Sequence, residues 1–255
     1  MPAVARTDAA RLARLLPPQT MWGPVEVVGE TGSTNADLMA RLGDGAGPGL
    51  VRVAEHQTAG QGRFDRTWVD VPGASLAVSV VVRPTRQQAS WGWLPLLTGM
   101  AVVAGLSDWA GERVGLKWPN DVLLDGAKVC GVLAQSDGRQ AVLGFGLNVG
   151  LARDELPVPA ATSLLVAGLP TDKTVVLGRV LTALQTYFQM WDGGADMRGV
   201  YVGVSETIGR RVRVVQPGRA VQGVAVGVDE SGALLVRVDG GATEVFTAGD
   251  VTHLR

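Results

Sequence analysis

The chain has 255 residues, a formal net charge of −1 and an isoelectric point near 6.1. Its length suits one large domain, or a large domain with a small one, and its balanced charge argues against bulk nucleic-acid binding. With 46% apolar residues and 35 glycines, the composition excludes a disordered chain and indicates a folded protein with many tight loops.

The first hundred residues contain no predicted targeting or membrane segment. Residues 1–20 include several arginines and no long apolar core, which argues against a signal peptide. The most apolar segment, 91–106, is shorter than the ~20 residues of a membrane helix, so we expect a buried core helix that starts near Pro95. We therefore expect a cytoplasmic protein without a membrane partner.

Residues 1–205 mix predicted strands with predicted helices. A hydroxyl residue at Thr34, followed three residues later by Asp37, is typical of a helix start. Asp125-Gly126 between two apolar runs predicts a tight hairpin. Apolar residues at helical spacing over 177–191 predict a long amphipathic helix. The predicted strands cover residues 25–28, 50–55, 76–82, 122–124, 128–133 and 141–149.

Residues 206–255 form a second block of five short apolar runs separated by glycine-containing turns. This spacing predicts a small β-barrel, which is so short that we expect it to pack against the first block. The predicted fold class is therefore α+β, with a mixed sheet flanked by helices in residues 1–205. The runs cover 212–215, 221–228, 233–238, 244–246 and 251–254.

Cysteine and histidine are too few for a metal site built from several such ligands. Cys130 is the only cysteine, so it can form no internal disulfide, and its apolar neighbours predict a buried, inert thiol. His56 and His253 are the only histidines. A site of several histidines is thus excluded, and a Ser-His-Asp triad is poorly supported.

The segment 55–68 combines two glycines with two arginines. Gly60 and Gly62 allow close approach of the backbone to a ligand, and Arg63 and Arg66 can each grip a carboxylate or phosphate through two N–H groups. The alternative interpretation is a flexible turn with solvated arginines. The segment lacks the third glycine of a dinucleotide fingerprint and the Gly-Lys-Ser/Thr of a phosphate-binding loop.

A second polar cluster lies at residues 117–121. Asn120 and Asp121 are predicted to end a strand side by side, although a capped turn would show the same pattern. Lys128 lies in an otherwise apolar strand, which places it either at a sheet edge or in a ligand site. Together with the arginines, these residues predict a site for a negatively charged ligand, as activation of a carboxylate by a nucleotide requires.

Several neutral polar side chains accompany these charges. The run Ser33-Thr34-Asn35 supplies small donors and acceptors suited to a polar ring, or only a helix cap. Gln57 lies on the strand that enters the glycine segment, and Asn148 follows a glycine-rich strand that would let the backbone approach closely.

The order and spacing of these motifs resembles biotin protein ligases. The resemblance extends by motif over residues 30–150, and the C-terminal block fits the SH3-like domain of that family. It implies a class II synthetase-like catalytic domain over 1–205 and an SH3-like barrel over 206–255. The motifs are Ser33-Thr34-Asn35, Glu55-x-Gln57-x-x-Gly60-x-Gly62-Arg63-x-x-Arg66-x-Trp68, Lys117-Trp118-Pro119-Asn120-Asp121, Lys128-x-x-Gly131 and Gly146-x-Asn148.

The resemblance implies a ligase with two half-reactions. Biotin and ATP form biotinyl-5′-AMP, and biotin is then transferred to a lysine of the biotin carboxyl carrier protein of acetyl-CoA carboxylase. Mg²⁺ is expected to enter with ATP rather than at a protein-only metal site. Only about 20 residues precede Trp22, too few for a winged-helix domain, so no DNA partner is expected.

The resemblance also assigns roles to individual residues. The residues implied in catalysis are Lys128, Arg63 and Asp121, the last positioning metal or nucleotide. Those implied in biotin binding are Ser33, Thr34, Asn35, Gln57, Gln61, Gly62, Arg63, Lys128 and Gly131. Those implied in ATP or adenylate binding are Arg63, Arg66, Trp68, Asn120, Lys128 and Asn148. The loop 59–68 is expected to become ordered over the intermediate and exclude water.

The sequence departs from the family pattern at two places. Gln61 stands where the family usually has an arginine, which removes a positive charge beside the intermediate. The segment expected to cover adenine, 155–172, has no aromatic residue. Two other functions remain open: a lipoate or octanoate ligase of related fold, and a biotin-binding sensor that has lost turnover.

Overall fold

The computed structural model describes residues 4–254, except for the side chain of Asp65. The helices within this range are α1 (Ala9–Leu15), α2 (Thr34–Leu42), α3 (Trp93–Ala110), α4 (Lys173–Asp192) and α5 (Arg198–Val204). The strands are β1 (Val25–Val28), β2 (Val51–Ala54), β3 (Ser75–Val82), β4 (Val114–Lys117), β5 (Asp121–Leu124), β6 (Ala127–Ser136), β7 (Ala141–Asn148), β8 (Arg211–Gln216), β9 (Arg219–Val228), β10 (Leu234–Val238), β11 (Thr243–Phe246) and β12 (Asp250–His253).

The first seven strands form one mixed sheet in the order β1-β2-β3-β7-β6-β5-β4. β1 pairs in parallel with β2, and the other neighbouring pairs are antiparallel. Helices cover both faces. α2 packs over Val81 and Val142 on one face, whereas their neighbours Val80 and Leu143 join the core beneath α3 and α4. The predicted α+β class with a mixed, helix-flanked sheet is confirmed.

The last five strands form a second, antiparallel sheet in the order β11-β10-β9-β8-β12. β11 and β12 end this order, so the described hydrogen bonds join five strands without linking the two ends into a ring. The C-terminal sheet packs against the first block through α5 and the α3 region, as its small size predicted.

Helix α3 is the apolar helix predicted from the sequence, and it begins at Trp93. By length and composition alone, residues Trp93–Arg113 are apolar enough to cross a membrane, with a mean hydropathy of 1.2. Because 67% of that window is buried in the protein, the helix is the central core element that the sequence predicted. Cys130 is also buried, and burial raises the pKa of its thiol.

Two local expectations need correction. The cap of α2 is Ser33, whose hydroxyl accepts from the N–H of Ala36, and Asp37 instead bonds Thr31 and Arg52. Asn120 and Asp121 do not end a strand together: β4 ends at Lys117, and Asp121 begins β5. The Asp37 carboxylate and the Asn120 amide each bond a residue more than ten positions away, Arg52 and Val132 respectively. The short helix α1 was not predicted, because Leu12 is its only buried residue.

A buried ion pair fixes the start of the loop between β2 and β3. The Lys173 ammonium donates to Glu55 and, at 3.0 Å, to the carbonyl of Gly73, while Glu55 also accepts from the N–H of Thr7 at 2.8 Å. The two charged side chains are 1% and 7% exposed. The pair therefore joins both ends of the loop to α4 and to the N-terminal segment.

We expect Lys173→Met to lower the free energy of unfolding by about 3–5 kcal/mol, because Glu55 would remain buried without a counter-charge. Urea denaturation followed by circular dichroism measures the change. Arg198→Met is the matched control, since it breaks the exposed Arg198–Asp196 pair and should leave the free energy of unfolding close to that of the wild type. Equal losses in the two variants would contradict this assignment.

Candidate active site

A cavity of about 390 Å³ opens between the mixed sheet and the C-terminal sheet. Its size suits a small-molecule site. The walls come from the start of α2, the loop 57–68, the β4–β5 turn, β6, β7 and β12. Thirteen of the predicted site residues line it: Ser33, Thr34, Asn35, Gln57, Gln61, Gly62, Arg63, Arg66, Trp68, Asn120, Asp121, Lys128 and Gly131.

One end of the cavity is neutral and polar. The N–H of Thr34 donates to Gln57 Oε1 at 2.8 Å, and the Ser79 hydroxyl donates to Asn35 Oδ1 at 2.6 Å. Asn35 in turn donates to Gln135 Oε1 at 2.9 Å. These mutual bonds fix the orientation of the amides and hydroxyls before a ligand enters. Ser79 and Gln135 were not predicted, because each lies inside a strand with no local signal.

The buried carboxylate of Asp70 holds the backbone at this end of the cavity. Asp70 Oδ2 accepts the N–H of Gln57 at 2.7 Å and lies 3.8 Å from His56 Nδ1. Burial raises the pKa of Asp70, while the neighbouring Ser75 hydroxyl and the bond from the Gln57 N–H oppose that effect. Asp70 therefore holds the backbone that carries the Gln57 amide.

Glycines let large side chains reach the strands of the sheet. A Cβ at Gly146 would lie 2.5 Å from Trp68 Cε2, and one at Gly131 would lie 3.0 Å from Trp68 Cζ3. A Cβ at Gly144 would lie 2.0 Å from Asn35 Oδ1. The indole of Trp68 thus rests directly on the backbones of β6 and β7 and closes one side of the cavity.

The other end of the cavity carries the cations. Lys128 Nζ lies 2.6 Å from Asp121 Oδ1 and 5.7 Å from the centre of the Trp68 ring. Arg63 donates to Asn120 Oδ1 at 3.3 Å and to the Gly249 carbonyl at 3.4 Å. Burial lowers the pKa of Arg63, and the charges of Asp250 and Asp121 oppose that shift. Lys128 therefore faces the cavity, and its role in a ligand site stays a prediction.

The C-terminal sheet completes the cavity, which the sequence did not predict. Asp250, Val251 and Thr252 of β12 line it, and Arg66 of the loop pairs with Asp250. These contacts join residues more than 180 positions apart. No local pattern near Asp250 marks it as part of a site.

Asn148 lies outside the cavity lining. It is 2% exposed, and its amide donates to the carbonyl of Thr162 at 3.0 Å. Its implied contact with the adenylate stays a prediction. The same bond holds the segment 160–162 beside Lys128, whose backbone bonds Ala160 and Thr162. Part of the expected adenine-covering segment is thus next to the cavity.

A chain of hydrogen bonds ties the β4–β5 turn to the C-terminal sheet. Thr207 Oγ1 accepts from the N–H of Trp118 at 3.0 Å and lies 3.1 Å from His253 Nε2. Either atom can donate in this contact, because the donor depends on the tautomer of the imidazole. Burial, aided by Lys117 and Arg210, lowers the pKa of His253 to about 4.

Comparison with known proteins shows which family shares this fold and these motifs. The Biotin/lipoate A/B protein ligase family model matches residues 33–151, and the Biotin protein ligase C terminal domain model matches 207–254. The biotin--[acetyl-CoA-carboxylase] ligase of Mycobacterium tuberculosis is 45% identical over 242 residues, which cover 92% of this chain and 90% of that protein. The chain belongs to the biotin protein ligase family.

Other members differ in length. The bifunctional ligase/repressor BirA of Escherichia coli is 30% identical, with 86% of this chain and 70% of that protein covered. The Aquifex aeolicus biotin protein ligase in complex with biotin and ATP superposes with a TM-score of 0.78 at 25% identity, covering 92% of this chain and all of that chain. The Leishmania major ligase with biotinyl-5-AMP shares the fold, with a TM-score of 0.59 at 22% identity.

The described residues contain no group of three or more His, Cys, Asp or Glu side chains arranged to hold a metal ion. Asp121 is the carboxylate next to Lys128 on the cavity wall.

We expect Gly146→Ala to weaken biotin binding about tenfold or more, because the new methyl group would displace the Trp68 indole. Calorimetric titration measures the affinity, and tryptophan fluorescence reports the displacement. Gly227→Ala is the control, since a Cβ there meets no atom within 4 Å. A Gly146→Ala protein that binds like the control would rule out this packing role.

We expect the stability of the wild-type protein to fall more steeply with decreasing pH than that of His253→Gln. Between pH about 6.5 and about 4, the unfolded chain binds a proton at His253 that the folded chain does not, so stability is lost as pH falls. Urea denaturation at pH 7.5 and 5 should show the wild type losing about 1–2 kcal/mol more stability over this step than His253→Gln, since the ring is only half-buried. Parallel slopes would show that His253 is not held neutral.

Proposed function

We propose that this chain is a biotin protein ligase, which activates biotin with ATP to biotinyl-5′-AMP and transfers biotin to a lysine of an acceptor protein. One observation carries the proposal: a single cavity joins a fixed neutral polar end to an end that contains Arg63 and Lys128. Biotin has a neutral ring and an ionised carboxylate, so the two ends match its two parts.

The first half-reaction brings two anions together. The carboxylate oxygen of biotin attacks the α-phosphorus of ATP, and pyrophosphate leaves. The guanidinium of Arg63 and the ammonium of Lys128 line the same wall and would offset the repulsion between carboxylate and phosphate. We assign Arg66, Trp68 and Asn120 to the adenylate side, and we keep Asn148 there as a more distant support.

Lys128 is neutralised by Asp121 in this structure. A bound anion would compete for the ammonium and release the carboxylate. Asp121 would then be available to hold Mg²⁺, whose preferred ligands are oxygens from one or two carboxylates together with phosphates. The metal would supply charge neutralisation at the phosphates.

In the second half-reaction, the amine of the acceptor lysine attacks the acyl carbon and AMP leaves. Water would destroy the mixed anhydride, so it must be excluded. The loop 59–68 and strand β12 stand on the open side of the cavity and already contact each other through Arg66–Asp250 and Arg63–Gly249. Closure of these contacts over the intermediate would protect it.

We further propose that the acceptor is the biotin carboxyl carrier protein of acetyl-CoA carboxylase, as the names of the relatives suggest. We also propose a catalytic domain over 1–205, a C-terminal domain over 206–255 and a cytoplasmic location; the family models over 33–151 and 207–254 support the two domains. The implied absence of DNA and membrane partners stays a prediction.

We expect purified protein to exchange labelled pyrophosphate into ATP only when biotin is present. Lys128→Ala and Arg63→Ala should each lower the exchange rate at least about 100-fold, since each removes a charge that faces the developing phosphate charge. Arg14→Ala, on the distant helix α1, should retain the wild-type rate.

Two further outcomes separate the alternatives. Exchange that depends on lipoate rather than biotin would indicate a lipoate ligase. Biotin binding without labelling of the carrier domain would indicate a sensor without turnover, and that result would contradict the proposal.

A further inference from the structure

The C-terminal sheet has one buried face and one exposed face. Val212, Val214 and Val236 point inward and are at most 1% exposed. The residues between them point outward, and the antiparallel register places Arg213 directly opposite Gln222 on β9 and Thr252 on β12. The outward residues of neighbouring strands therefore form one continuous surface.

This surface combines arginines with exposed apolar side chains. Arg213 and Arg237 are exposed and belong to none of the ion pairs found among the described residues. Val215 and Val245 are 40% and 56% exposed. We call these four residues the arginine–valine face. Arginine next to apolar groups is typical of protein–protein interfaces, whereas a nucleic-acid surface would need a larger net positive charge.

The arginine–valine face is continuous with the cavity. Strand β12 is the edge strand of the sheet, and its residues Asp250 and Thr252 line the cavity while lying opposite Val215 and Arg213. Because neighbouring strands are about 4.8 Å apart, Arg213 lies about 5 Å and Arg237 about 15 Å from the rim formed by β12.

An acceptor protein must place a lysine side chain across that rim. A lysine side chain extends only about 6 Å from its Cα, because the lengths of its covalent bonds limit its reach. The folded body of the acceptor must therefore rest against the surfaces that border the cavity, and the arginine–valine face is one of them.

The geometry points to the arginine–valine face as a docking surface for the acceptor protein, which it would recognise through acidic side chains near the target lysine. This inference rests on the proposed function. Arg213 and Arg237 would pair with the acceptor's carboxylates, and Val215 and Val245 would contact apolar side chains of the acceptor beside them. Neither arginine lines the cavity, so adenylate formation would not depend on them.

The test compares the two half-reactions in the charge-reversed variant Arg213→Glu/Arg237→Glu. Pyrophosphate exchange, measured without acceptor, should stay within about twofold of the wild-type rate. Transfer of biotin to a purified biotin carboxyl carrier domain should lose at least about tenfold in kcat/KM, through a higher KM, since about 1.4 kcal/mol of lost binding is tenfold. Arg213→Ala/Arg237→Ala should show a smaller loss in the same direction.

The variant Arg6→Glu/Arg14→Glu is the matched control, because it reverses two exposed arginines at the N-terminal end of the chain, beside α1. It should transfer biotin like the wild type. Unchanged transfer in Arg213→Glu/Arg237→Glu, an equal loss in the control, or a parallel loss of exchange and transfer would each overturn the docking surface. Absence of exchange in the wild-type protein would instead overturn the proposed function and this inference with it.

Discussion

The packing of one indole ring on bare backbone determines the shape of the candidate site. Trp68 lies against Gly146 and Gly131, where any Cβ would come within 3.0 Å of the ring. The ring also lies beside the ammonium of Lys128. Because the loop that carries Trp68 is held at its base by the buried Glu55–Lys173 pair, the position of the ring depends on contacts at both ends of the loop. Without this packing the cavity would lose the side that Trp68 closes.

The electrostatics of the cavity are arranged around charges that already have partners. Lys128 faces Asp121, and Arg66 faces Asp250. Lys128 is only 36% exposed, so the Asp121 carboxylate offsets part of the cost of desolvating its charge. An anionic ligand must compete with Asp121 and Asp250 for these cations. The two carboxylates therefore lower the affinity for the ligand and favour its release. Gln61 leaves the cavity with one positive charge fewer than the family usually has.

The C-terminal sheet is part of the site rather than an accessory to it. Its strand β12 supplies one wall, and Thr207 and His253 connect it to the backbone of the Lys117–Asp121 turn through one hydroxyl group. A movement of this sheet would therefore act on both the glycine–arginine loop and the turn. The exposed side of the same sheet borders the opening through which an acceptor must approach. The C-terminal sheet would therefore affect both the closing of the loop over the cavity and the access of the acceptor.

The sequence alone determined the fold class, the strands other than β4 and the C-terminal β block, because side-chain periodicity and turn residues act over a few neighbours. It also indicated thirteen of the residues that line the cavity, through motifs in which each polar residue lies close to a glycine or another polar residue. Only the tertiary structure decided that Asp250 faces Arg66, that Ser79 and Gln135 orient Asn35, and that Asn148 is buried beneath Thr162. These contacts depend on how strands far apart in the chain pack together, and no local pattern of residues encodes that packing.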